Sequence, residues 1–181
     1  MFWHPLFAGN LLRGENITIM NILIHDLGEY SFQNRDNDFQ IINTKVKAAP
    51  CQGCFKCWTK NAGYCVYADA FQHSGAAVGN SENVVIISKI CYGGYSPAVK
   101  RFLDRGISDC LPFLTFRKGK TYHISRYKVK RNLIVYFYGE YSEFERETAE
   151  EYVACHAVNM QADTHKVFFS ECFEDIGAIS L

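Results

Sequence analysis

Five short apolar runs set the terms on which this chain can fold: residues 22–24 (Ile-Leu-Ile), 39–42 (Phe-Gln-Ile-Ile), 84–87 (Val-Val-Ile-Ile), 133–137 (Leu-Ile-Val-Tyr-Phe) and 167–169 (Val-Phe-Phe). Runs this short and this continuous want apolar cover on both faces, which is the habit of strands in parallel sheets. The segments between the later runs carry helix-end signals. Ser96 followed by Pro97 is an N-cap with proline at the first helical position; Val99, Phe102 and Leu103 then form an apolar stripe, and Gly106 can close the helix. Ser142-x-x-Glu145 is a capping box, opening a helix whose Tyr152, Val153, His156, Ala157 and Met160 recur at helical spacing. Strands alternating with helices predict an α/β domain with a mostly parallel sheet, and such sheets take ligands beyond the C-terminal ends of their strands. Only about a dozen residues separate the first two runs, the lower limit for a crossover that contains a helix. The first helix is therefore expected to be shortened or missing.

A chain of 181 residues without low-complexity stretches fits one domain with a sizeable core. Met20 stands immediately before the first apolar run, so residues 1–19 read as an N-terminal extension of unassigned role and residues 20–181 as the domain. Lysine plus arginine equals aspartate plus glutamate at 19 each, which leaves no global field to recruit nucleic acid or an anionic membrane. Seven basic residues without an acid lie between Arg117 and Arg131 and are read as a solvated excursion before a strand. No run reaches the ~18 apolar residues of a membrane helix, and the N-terminus lacks a signal-peptide pattern. A cytoplasmic protein is expected, in which eight cysteines serve as thiols or ligands rather than as a disulfide framework.

Four of those cysteines are concentrated in fifteen residues, Cys51-x2-Cys54-x2-Cys57-x7-Cys65. Thiols at successive x2 spacing can converge on one small object, because each intervening pair makes a tight turn. The spacing is that of iron–sulfur ligands more than of zinc sites, which join two Cys-x2-Cys pairs across a longer spacer. Three readings stay open: a cluster, a zinc ion, or unliganded structural thiols. Cys91, Cys110, Cys155 and Cys172 have no ligand spacing, the six histidines no paired spacing, and Trp58 reads as packing.

Taken together, Pro50-Cys51-Gln52-Gly53-Cys54-Phe55-Lys56-Cys57-Trp58, Gly63-Tyr64-Cys65, the strand at 84–88, Tyr92-Gly93-Gly94-Tyr95-Ser96-Pro97 and Lys100-Arg101-Phe102-Leu103-Asp104-Arg105 resemble one family. It is the NAD(P)H-dependent FMN reductase and iron–sulfur flavoprotein group of the flavodoxin-like superfamily. The resemblance implies a flavodoxin-like three-layer sandwich around a five-stranded parallel sheet of order 2-1-3-4-5. It implies FMN packed against Tyr92, Gly93, Gly94 and Tyr95, with Gly139 and Glu140 in the neighbouring wall. Glycines there would admit backbone N–H groups to a flat ring, and tyrosines would offer stacking faces. It further implies a [4Fe–4S] cluster on Cys51, Cys54, Cys57 and Cys65 near the flavin, NAD(P)H as electron donor, a redox partner or small molecule as acceptor, and a homo-oligomer in which Pro112-Phe113-Leu114-Thr115-Phe116 buries against a second subunit.

One segment departs from that pattern. Where the family has a loop that cradles the FMN phosphate, this chain has His25-Asp26-Leu27-Gly28-Glu29-Tyr30-Ser31-Phe32-Gln33-Asn34-Arg35-Asp36, with three carboxylates and no recognisable cradle. The expectation is a flavin-dependent NAD(P)H oxidoreductase or electron-transfer protein, with hydride passing from nicotinamide to FMN and electrons on to an acceptor through the cysteine centre. The alternative is a flavodoxin-like protein without FMN that keeps the four cysteines as a structural metal site or interaction surface. The cysteine segment follows the second strand and is expected to face the cofactor crevice.

Overall fold

The computed structural model describes residues 20–30, 32, 38–117 and 119–176, so the extension read at residues 1–19 lies outside the described part. Five strands run parallel: β1 (Met20–His25), β2 (Phe39–Asn43), β3 (Ser81–Cys91), β7 (Asn132–Tyr138) and β8 (Thr164–Ser170). Their spatial order is β2-β1-β3-β7-β8, which is the flavodoxin-like 2-1-3-4-5 arrangement with its switch point between β1 and β3. A two-residue strand, β4 (Gly94–Tyr95), folds back antiparallel on the end of β3. The described residues between β1 and β2 contain no helix, in keeping with the short connection.

Both helix-start signals act as written. Ser96 caps α2 (Pro97–Arg105) by accepting from the Val99 amide, and Gly106 ends it. Ser142 and Glu145 form the complete capping box of α3 (Glu143–Asn159). With the short α1 (Ser74–Gly79) these helices send Val78, Val99, Phe102, Ala149, Val153 and Ala157 onto one sheet face, against Ile22, Ile24, Val84, Ile86, Leu133, Val135 and Phe137. The other face carries Leu23, Val85 and Ile87 with Phe39, Tyr136 and Tyr138 beside them, and Phe32 and Ile176, beyond a 3-10 turn at Phe173–Asp175, pack onto it. Apolar residues on both faces explain why the strands read as continuous runs rather than alternations. Among the described residues no helix is long and apolar enough to cross a membrane.

The basic stretch is not simply a solvated excursion. It forms the hairpin of β5 (Cys110–Arg117) and β6 (Lys120–Ser125), a separate two-stranded sheet. Arg131 is buried, donating from Nη1 to the Met160 carbonyl and from Nη2 to the Gly79 carbonyl at 2.8 Å each. Arg126 donates from Nε to the Ser108 carbonyl. Two of the seven cations are therefore structural clamps on helix and turn carbonyls.

Tyr95 is 6% exposed, its ring stacked on Phe137 and its hydroxyl 2.9 Å from Nδ1 of His156 on α3. Burial, aided by the charge of Lys100, lowers the His156 imidazole to about 4. A histidine depressed below its ordinary 6.5 favours the fold while neutral, so that stability is fully present above 6.5 and is lost as pH falls towards 4. Urea titrations at pH 7 and pH 5 are expected to differ by on the order of 2 kcal/mol. His156→Asn should flatten the dependence in that window.

Candidate functional site

At the C-terminal ends of the strands the chain places a carboxylate. Asp26 follows β1 directly, is 2% exposed, and accepts from the Lys89 amide at 3.1 and 3.3 Å and from the Tyr138 hydroxyl at 3.0 Å. It thereby ties the ends of β1, β3 and β7 together at the switch point. Burial, and then Asp26 itself, push the Tyr138 hydroxyl well above its usual range, so it stays a donor.

The six residues implied as flavin contacts divide around this point. Tyr92 is 95% exposed and holds a left-handed backbone (φ 51°). Gly93 turns inward: a Cβ there would lie 2.6 Å from Cβ of Thr148 on α3, so its lack of a side chain serves helix packing. Gly94 pairs with Cys91 in the β3–β4 bridge, and the buried Tyr95 ring stacks on Phe137 and meets Tyr152 and His156 edge to face. Gly139 (φ 104°) follows β7 beside the Lys89 side chain, and Glu140 is exposed. Tyr92 alone of this loop offers a free aromatic face. Among the described residues between β1 and β2 no helix N-terminus is present to receive the phosphate of FMN, and the buried Asp26 carboxylate at the end of β1 would repel a dianion placed beside it. Ser31 and Arg35 of that loop lie outside the described residues.

The cysteines are elsewhere, and the expectation that they face the crevice is corrected. Leaving β2, the chain runs down the outside of α2: Arg101 donates to the carbonyls of Thr44 at 2.8 Å and Val46 at 3.0 Å, and Arg105, one helical turn on, to Ala49 at 2.7 Å. Residue 51 is thus delivered to the C-terminus of α2. Nine residues at ~1.5 Å rise put that end about 13 Å from Ser96 and the crevice side.

There the segment curls through left-handed residues at Gly53, Phe55 and Gly63 into a series of turns, Trp58 N–H to Phe55, Asn61 N–H to Lys56 and Gly63 N–H to Cys57. Cys51, Cys54, Cys57 and Cys65 line one cavity of about 310 Å³ together with Phe55 and Arg105. Cys57 is buried; desolvation, then the neighbouring Cys65, Cys51 and Cys54, raise its thiol. Among the described residues no three histidine, cysteine or acidic side chains close on a single metal ion.

Arg105 forms one wall of this cavity. Its guanidinium is 2% exposed and forks onto Asp69 (Nη1 to Oδ2 2.9 Å, Nη2 to Oδ1 2.8 Å) while donating to the Ala49 and Tyr67 carbonyls. Asp69 also accepts from the amides of Ala49 and Phe71. The pair staples both ends of the cysteine segment to α2, and the Arg105 bond holds the Asp69 carboxyl down at about 2. Burial works against the guanidinium charge, but the hydrogen bonds to Asp69, and then the neighbouring Cys65, raise its pKa. No short motif announces this pair, since its two residues lie 36 apart.

The sheet order defines a flavodoxin-like α/β protein. Comparison of folds agrees: the chain is similar to the NAD(P)H:quinone oxidoreductase from Methanothermobacter marburgensis, with a TM-score of 0.51 and 9% identity over 87% of this chain and 90% of that one. It is also similar to an NADH:FMN oxidoreductase in its apo form, with a TM-score of 0.49 and 11% identity over 83% of this chain and 74% of that one. At such identities the likeness is one of fold. No protein-family model and no curated protein sequence matches the chain.

Proposed function

We propose that this chain is a redox protein of the oxidoreductase class, working in the reducing cytoplasm, whose electron-carrying centre is an iron–sulfur cluster held by Cys51, Cys54, Cys57 and Cys65. The observation that carries the reading is the cavity itself: four thiols share one cavity whose wall includes the buried Arg105. A single zinc ion on the same four thiols, with its sulfurs about 2.3 Å from one point, is the competing occupant. A polynuclear cluster keeps its ligands farther apart, carries net negative charge, and accepts hydrogen bonds at sulfur. Arg105, paired with Asp69, sets its guanidinium in the wall beside these thiols. The cluster when bound would supply one-electron chemistry; Cys57 is buried while Cys51 and Cys54 are exposed, and the Arg105–Asp69 staple fixes the segment before the centre is filled. Purified without oxygen, the protein should show a broad visible absorption that dithionite bleaches, with a paramagnetic signal in the reduced state. A colourless, signal-free protein after anaerobic incubation with iron and sulfide contradicts the reading.

A flavin-dependent NAD(P)H oxidoreductase is the second reading, favoured by the fold and by the free face of Tyr92. Titration with FMN separates the two. Weak or absent binding is expected with Asp26 in place, and tight stoichiometric binding would restore the flavin reading.

A further inference from the structure

We propose that the basic, apolar-rimmed face around the cysteine cavity docks a second copy of this chain, which presents the acidic first half of its α3, so that copies associate head to tail. The contact does not rest on what fills the cavity.

The chain is neutral as a whole, but its charge is sorted. From Phe39 to Ala68 there is no aspartate or glutamate, while Lys45, Lys47, Lys56 and Lys60 are all exposed. No ion pair among the described residues engages any of these four lysines. The carboxylates nearest the cavity wall are already taken, Asp69 by Arg105 and Asp104 by Lys100. Phe55, Val66 and Tyr67 line the cavity and are exposed as well. Apolar side chains at the centre with charge around them have the make-up of a docking surface. Gathered at one cavity, they are not the scattered kind that any surface carries.

The opposite charge sits at the other end of the molecule. Between Glu140 and Glu151 lie six glutamates and a single cation, Arg146. Arg146 is paired with Glu150, and Glu145 is committed to the capping box. Glu140, Glu143, Glu147 and Glu151 are exposed and outside every ion pair among the described residues. Glu143, Glu147 and Glu151 follow one another at four-residue spacing, an arrangement of like charges that costs a helix stability when nothing faces it. Phe144, 77% exposed, shares that side of α3 with Glu147 and Glu151, three and seven residues on. Carboxylates around an apolar side chain on α3 thus complement lysines around apolar side chains at the cavity. α3 opens after the C-terminal end of β7, whereas the cysteine segment lies at the C-terminus of α2. The two faces therefore stand at opposite ends of the strands, and one chain cannot close them on itself. A contact between unlike patches leaves each copy a further face and repeats as a ring or a filament. It sets Phe144 of the next copy over Cys51 and Cys54, the exposed thiols of the cavity.

Sedimentation velocity on the full chain reads the contact, with a thiol reductant present to remove disulfide cross-links. At low salt, where exposed charges are screened least, wild type should pass from monomer to larger species as its concentration rises, and high salt should return it to monomer. Lys56→Gln/Lys60→Gln and Glu147→Gln/Glu151→Gln should each lower the association constant about tenfold or more. Each of these variants keeps one face intact. At a concentration where neither associates alone, their equimolar mixture should therefore form a species of two chains and nothing longer. Phe116→Ser, on the exposed hairpin, should associate as wild type. A wild type that stays monomeric at low salt, association that survives either glutamine pair, or a mixture no more associated than its components overturns the proposal. Loss of association in Phe116→Ser alone gives the contact to the hairpin and overturns it too. A monomeric wild type that binds a deoxythymidine oligonucleotide, with Lys56→Gln/Lys60→Gln abolishing the binding, assigns the basic face to nucleic acid instead. Protein that associates as described but takes up no iron removes the cysteine reading and leaves the contact standing.

Discussion

Arg105→Ala is expected to lower folding stability by about 3 kcal/mol, the lower end of the loss on breaking a buried ion pair, because Asp69 is partly exposed. Asp69 would keep two amide donors but lose both guanidinium bonds, and the Ala49 and Tyr67 carbonyls would lose their donor. For a domain of this size such a loss lowers the melting temperature by roughly 10 °C. Arg105→Lys retains the charge without the fork and should fall between the two proteins. The same pair sets the deep acid limit. A carboxyl held at about 2 contributes stability above its ordinary 3.8 that is lost as pH falls through 2. Acid unfolding should therefore begin with His156 below 6.5 and finish with Asp69. A melting temperature for Arg105→Ala within about 2 °C of wild type would show that the staple does not hold the segment.

Cys57→Ser should abolish most or all iron uptake while leaving the fold intact. Cys57 is the buried member of the four, so its sulfur has no alternative direction in which to relax, whereas the staple that holds the segment involves Arg105 and Asp69 and no cysteine. Cys155→Ser, exposed on α3 away from the cavity, should retain wild-type iron. The pair of variants separates ligation from general loss of thiols, and circular dichroism with iron analysis reads both. Equal iron in the two would remove Cys57 from the ligand set.

The sheet was legible because its signals are local. Each strand is a continuous apolar run, and Ser96-Pro97 and Ser142-x-x-Glu145 are start signals that act within four residues. The cysteine spacing was legible for the same reason. The direction in which the segment points was not, because it depends on Arg101 and Arg105 gripping carbonyls more than fifty residues away. The tyrosine loop misled in the opposite way. Tyr-Gly-Gly-Tyr suits a ring-binding turn, but Tyr95 found its partners in Phe137 and His156, distant in sequence, and Gly93 accommodates Thr148. Asp26 looked like one of three loop acids until Lys89 and Tyr138, on two other strands, closed around it. Composition likewise concealed Arg131, a buried clamp inside a stretch that reads as solvated charge.

Whether the four cysteines hold a polynuclear cluster on this flavodoxin-like frame is tested most directly by analysis of iron and acid-labile sulfide in protein prepared without oxygen. About four irons and four sulfides per chain are expected, as for a [4Fe–4S] centre on four thiolates. One zinc per chain, or free thiols that take up neither iron nor sulfide on anaerobic reconstitution, would contradict the cluster.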